Sequence, residues 1–338
     1  MHLRGPMNVS KLAVYMLPGD FYSPQKRATI PSDVLDAGHI PDAVDGPVAH
    51  VALAEPAKEV DLPVIRFLNN STVQKRTGPG SCSIIAAAPP WSRIASYTSA
   101  APAAATGFAF LANLGDERKS GTFDYSFGNS LGYVIGNGKT VASQNTPFDG
   151  TLETSEVEIA VFTDQQCRTG DCEARPRATA HYGFGGESKV FLIEFQMDHY
   201  DNVGTDQGML SDAPAWWFLN AAIPRVLQYG NDKRNIPCSC WSSGCGEFDA
   251  FEVLGRGEER AKSTIHRQGN LEGGDSNFFR RPVGRMLKFA VIFHNFNITA
   301  SVLPDTFDFS QTLTAGQIDN IIAYDPDSYT HSLFPIGD

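Results

Sequence analysis

The sequence predicts an all-β protein built from two packed antiparallel sheets, on three observations. Strand-like runs of aromatic and β-branched residues recur from Gly107 onward, split by short turns. Turn formers are abundant, with 31 Gly and 21 Pro beside 22 Phe. Helical periodicity is scarce, and so many short strands need a second sheet to bury their apolar faces.

Taken in order, residues 1 to about 80 are rich in Pro and acids, with strand-like pieces at 48–53 and 62–68. They read as an added element or as strands completing a sandwich edge. This gives an N-terminal extension over 1–85 and a sandwich domain over 86–338. The apolar stretch at 12–17 is short and no small-residue cleavage site follows it, so the start does not read as a signal peptide. Residues 86–105 are linker-like in composition, yet Trp91 and Tyr97 indicate packing. Strands are expected at 122–127, 131–135, 157–163, 188–197, 215–219, 247–254, 262–266 and 286–296. One short helix is expected at about 317–322, with Thr314 or Ala315 near its start.

The acidic strand carries the chemistry. It reads Gly246-Glu-Phe-Asp-Ala-Phe-Glu-Val-Leu254. On a regular strand Glu247 and Asp249 share a face, because side chains alternate with period two, and Glu252 points the other way. One β-bulge between Asp249 and Glu252 adds an unpaired residue and returns Glu252 to the first face. Like charges crowded on a sheet are unfavourable, so stability does not explain the pattern. Glycoside hydrolysis does, because it needs two carboxyl groups flanking the scissile bond. The competing reading is a half-exposed acidic strand.

The formal net charge is -11 with no basic stripe, which argues against nucleic acid as a partner. No apolar run is long enough to cross a membrane. The six cysteines, Cys82, Cys167, Cys172, Cys238, Cys240 and Cys245, suggest disulfides and an oxidising compartment. Cys167 and Cys172 bracket a Gly-containing turn and are the easiest pair to close; the other pairings stay open. A zinc site on the three clustered cysteines lacks a fourth ligand at the usual spacing. Asn8, Asn69, Asn70 and Asn297 each begin an Asn-x-Ser/Thr sequon, which adds to the argument for secretion. Gly-Phe-Gly-Gly at 183–186 lacks the Lys-Ser/Thr and helix of a phosphate loop and reads as a hairpin turn.

The acidic run has company: Pro214-Ala-Trp-Trp-Phe upstream, Cys238-Ser-Cys-Trp241 just before it, and Ser263-Thr-Ile-His266 after it. This order resembles glycoside hydrolase family 16. A closer resemblance, over roughly 90–335, is to the fungal cell-wall family whose yeast members are called targets of SBF. It rests on Trp91-Ser-Arg-Ile-Ala-Ser-Tyr97, Ser120-Gly-Thr-Phe-Asp124, Gly128-Asn-Ser-Leu-Gly-Tyr133, His181-Tyr-Gly-Phe-Gly-Gly186 and Lys189-Val-Phe-Leu-Ile-Glu-Phe195, together with the cysteine block and the acids. The resemblance implies a concanavalin A-like jelly roll and a secreted, cell-wall enzyme that cleaves β-glucan with retention.

It also implies roles. Glu247 would be the nucleophile, Glu252 the general acid and base, and Asp249 a helper that tunes Glu247. Trp216, Trp217 and Trp241 are candidates to stack on sugar rings, although alternation lets only one of the adjacent pair face a cleft. His266 fits either the cleft or an ordinary strand end. Asn220 and Arg225 are candidates for sugar hydroxyls. His294 and Asn295 could reach the same face or serve as satisfied core groups. A monomer needing no cofactor is expected; a structural calcium ion is compatible with the acids, which alone supply few ligands. The alternative functions are a non-catalytic glucan-binding wall protein and a wall transglycosylase.

Overall fold

The computed structural model describes residues 1–19, 88–112, 131–168, 179–200, 212–220, 240, 245–267, 278–323, 325 and 328–336. The chain divides into two units, Met1–Thr29 with Ala88–Asp338, and Ile30–Ala87. The second unit lies outside the described residues, and so do the strands expected at 48–53, 62–68 and 122–127.

The first unit is a jelly-roll type sandwich of two antiparallel sheets. Across the front sheet the order is β14 (Phe278–Arg280), β13 (Arg260–Arg267), β12 (Cys245–Val253), β11 (Ala215–Leu219), β1 (His2–Arg4), β9 (Glu158–Thr163), β5 (Phe108–Ala112), β6 (Gly132–Ile135) and β7 (Thr140–Val141). Across the back sheet it is β17 (Thr312–Leu313), β3 (Trp91–Thr98), β2 (Met7–Met16), β10 (Lys189–Gln196), β15 (Leu287–His294), β16 (Asn297–Leu303) and β18 (His331–Pro335). Two short strands, β4 (Ala104–Thr106) and β8 (Thr151–Leu152), pair with β3 and β2.

The main core lies between the sheets. Leu3, Ile159, Val161, Trp216, Phe218, Phe248 and Phe251 face Val14, Phe191, Ile193, Phe195, Phe289 and Val291 across it. The back sheet is apolar on its other side as well, where Ala13, Tyr15, Val190, Leu192 and Ile292 meet Ile318 and Ile321 of the helix α1 (Ala315–Ile322). That second layer explains why β10 reads as an almost unbroken hydrophobic run. The helix begins where expected, because Thr314 and Gln317 form a reciprocal capping box.

Two expectations change. The first residues are not an edge: β1 sits between β9 and β11, and β2 between β3 and β10, so the N-terminal stretch supplies interior strands to both sheets. The strand expected at 286–296 is the first arm of a hairpin. Asn295 and Phe296 both adopt positive φ (49° and 56°), a two-residue turn into β16. Phe296 is 71% exposed there, and its apolar side chain hid the turn. As for the cysteines, Cys167 is disulfide-bonded. Cys240 is buried, and Cys82, Cys172 and Cys238 lie outside the described residues.

Candidate active site

The acids stand on β12, and two irregularities set their direction. Against β11, Trp217 lies opposite Asp249 while Trp216 lies opposite Phe251, so Ala250 is the extra residue. Against β13, Asp249 pairs with Thr264 and Glu252 with Lys262, three residues against two. This is the bulge expected between Asp249 and Glu252. Ser263 Oγ donates to the Ala250 carbonyl at 2.6 Å and so satisfies a backbone group that the interrupted ladder would otherwise strand. A second register shift falls between Cys245 and Glu247. Gly246 permits it with φ of 108°, and a Cβ there would lie 3.1 Å from the Asn220 Cβ.

The result is a row of polar side chains on the face of the front sheet turned away from the core. Registers carry it across the strands. Thr264, Asp249, Trp217 and His2 are successive partners, and so are Lys262, Glu252, Ala215 and Arg4. Glu247 lies between Leu219 and His266. His266 Nε2 and Asp249 Oδ2 are 3.0 Å apart, both residues buried, and Glu247 is hydrogen-bonded to Asp249. His266 is therefore a member of the acid cluster.

The electrostatics follow from burial. Desolvation pushes the Glu247 carboxyl well above the usual range, and the charges of Asp249 and Glu252 push it further. Glu252 is raised by burial and by Asp249, and Arg4 pulls it partly back. The cluster thus retains a proton towards neutrality, shared among coupled groups.

Sequence reasoning missed three of the residues around the acids. Arg4 donates from Nη2 to Glu252 Oε1 at 3.2 Å and from Nε to the Ala213 carbonyl at 2.9 Å. Its guanidinium also lies 5.6 Å from the Trp217 ring centroid. His2 stacks on Trp217 at 5.1 Å and 19°, and its Nδ1 is 3.1 Å from Glu158 Oε1. No motif flagged His2, Arg4 or Glu158, because only strand pairing brings β1 beside β11 and β9 beside β1.

The other candidates sort by strand face. Trp217 faces the acids. Trp216 does not: it is 0% exposed in the intersheet core, 5.1 Å from Phe218 and 6.2 Å from Phe289 between ring centroids. Alternation forces that split. Asn220 is exposed beyond the end of β11, where its N–H donates to the Gly246 carbonyl. His294 belongs to the back sheet, with Nδ1 2.9 Å from Ser188 Oγ and its ring edge-on to Trp91, so neither it nor Asn295 joins the acids. Trp241 and Arg225 lie outside the described residues.

One donor atom each from Glu247, Asp249 and His266 lie within 4.8 Å of one another, close enough to hold a metal ion. Two carboxylates and an imidazole differ from the oxygen shell that calcium takes, and here the imidazole is hydrogen-bonded to Asp249. Among the described residues no helix is long and apolar enough to cross a membrane.

The family model for the C-terminal region of cell wall protein YJL171C/Tos1 matches residues 89–321. A Schizosaccharomyces pombe protein described as a probable circularly permuted 1,3-beta-glucanase is 36% identical over 238 residues, which is 68% of this chain and 45% of the relative. The Saccharomyces cerevisiae probable circularly permuted 1,3-beta-glucanase TOS1 is 35% identical, covering 68% and 48%. An Arthroderma benhamiae protein of the same description is 32% identical over 364 residues, covering 96% of this chain and 80% of the relative. The chain spans about half the length of the first two relatives. No solved structure matches significantly. With its fold and with more than two thirds of its length matched, the chain belongs to the YJL171C/Tos1 C-terminal family of cell wall proteins.

Proposed function

We propose that this protein is a secreted β-1,3-glucan hydrolase that works with retention through Glu247 and Glu252. The observation that carries the reading is the bulge at Ala250, which turns Glu252 onto the face of Glu247, Asp249 and Trp217. The relatives' description as probable 1,3-beta-glucanases supports the substrate. The cysteines and sequons, and membership of a cell wall family, support secretion.

In this mechanism the Glu247 carboxylate attacks the anomeric carbon while Glu252 protonates the leaving oxygen. Water, deprotonated by Glu252, then releases the sugar from Glu247. Asp249, held by His266, tunes Glu247 through their hydrogen bond. The raised, coupled carboxyls retain a proton towards neutrality, and departure of the leaving group needs that proton on Glu252. Trp217, 7% exposed beneath His2 and Arg4, holds these two residues beside the acids.

The test is turnover of β-1,3-glucan by Glu247→Gln and Glu252→Gln. Each is expected to lose activity by at least about a thousandfold while retaining glucan binding. A wild-type chain that binds glucan and releases no reducing ends across a broad pH range would instead be a wall-polysaccharide binder.

A further inference from the structure

Beyond the acids, the same face of the front sheet continues to its edge. Glu252 pairs with Lys262, and Lys262 with Phe278 on the edge strand β14. Direct cross-strand partners point to the same face, so Phe278 shares the face of the acids, two strand spacings or about 10 Å beyond Glu252. It is 37% exposed, whereas its neighbour Phe279 is buried in the core. Arg260 and Lys262 lie 4.9 and 5.4 Å from its ring centroid, both reaching from β13. Arg260 pairs in turn with Arg280. In a chain of net charge -11, no carboxylate among the described residues forms an ion pair with Arg260, Lys262 or Arg280. An exposed aromatic ring set among donor side chains has the makings of a saccharide platform: the ring takes a C–H face, and the ammonium and guanidinium groups, which only donate, meet hydroxyl oxygens.

We infer that Phe278, with Lys262 and Arg260, forms a second sugar-binding site on the edge of the front sheet, which holds a neutral β-glucan unit remote from the bond being cleaved. Trp217 on β11 and Phe278 on β14 then bracket the acids of β12, and the glucan runs across the strands. This rests on the glucanase reading and adds the direction of the chain and the length it must reach.

The experiment compares kcat/KM on β-1,3-gluco-oligosaccharides of increasing length for the wild type, Phe278→Ala and Phe278→Tyr. The ratio of long-substrate to short-substrate kcat/KM is expected to fall roughly tenfold in Phe278→Ala and to recover in Phe278→Tyr, with the unfolding midpoint little changed because the ring is exposed. A ratio equal to the wild-type value in Phe278→Ala would overturn the site. So would a loss shared equally by all lengths, which would mean that the ring only supports the acids. If the wild type cleaves no length, the glucanase reading fails; binding of the same oligosaccharides to Phe278→Ala and wild type, followed by NMR, then decides the site separately. Binding that disappears on raising the ionic strength would mark an anion site and contradict a neutral sugar.

Discussion

At the scale of the residue, the acids cost stability. Glu247 and Glu252 are half-buried beside Asp249, and desolvation, followed by that charge, raises both carboxyls above the ordinary 4.5. The folded chain therefore holds protons that the unfolded chain has released above about pH 4.5, so stability declines as pH rises from there through the raised folded values. Glu247→Gln escapes that decline. It is expected to match the wild type near pH 4 and to exceed it by on the order of 1–3 kcal/mol near pH 8, measured by denaturant unfolding; a gap that stays flat between the two would contradict the electrostatic picture. The adjacent tryptophans separate packing from binding. Trp216→Ala should cost about 3–5 kcal/mol of stability, because it empties a site in the intersheet core. Trp217→Ala should lose less stability and weaken glucan binding about tenfold, read by calorimetric titration alongside thermal unfolding.

At the scale of the element, one inserted residue decides the site. The sequence showed the bulge because three acids spaced Glu-x-Asp-x-x-Glu make sense on one face only with an extra residue. Deleting Ala250 removes the extra residue, and the resulting Glu-x-Asp-x-Glu keeps its three acids on one face of a regular ladder, so turnover is expected to survive, as it is in Ala250→Gly. Loss of turnover from a folded deletion variant would refute that account of the bulge. The loop entering β11 has its own anchor. Arg281, with no side-chain exposure, donates to Asp212 and to the carbonyls of Met197 and Asp198, and His199 bridges Asp212 and Glu259. Burial alone would raise the Asp212 carboxyl, but Arg281 and His199 hold it below its usual value. Asp212→Ala strands a buried guanidinium and should cost about 3–5 kcal/mol, seen as a lowered denaturation midpoint. Because Asp212 is depressed in the folded chain, its contribution is present above its ordinary value of 3.8 and fades as pH falls below that, so the gap between Asp212→Ala and wild type should narrow in acid.

At the scale of the molecule, β1 and β2 are interior strands of the two sheets. Strands with strong β-formers, such as β10, β11 and β12, were legible because both their patterning and their neighbours agreed. The N-terminal strands were not. β1 is only three residues long, and β2 carries Lys11 amid its apolar residues. What places His2 and Arg4 beside Trp217 is pairing between residues more than two hundred positions apart, which no local pattern encodes. A chain lacking residues 1–16 loses an inner strand from each sheet, and it should fail to give the cooperative unfolding transition and near-ultraviolet circular dichroism of the full chain. Native-like unfolding of that truncated chain would show that the two sheets hold without their central members.

The most direct measurement is NMR of the anomeric protons released as the wild-type protein cleaves a β-1,3-gluco-oligosaccharide. With Glu247 and Glu252 acting in two displacements on one bulged strand, the β-anomer is expected first and the α-anomer only later by mutarotation. An α-anomer formed first, or no cleavage at all, would contradict the central claim.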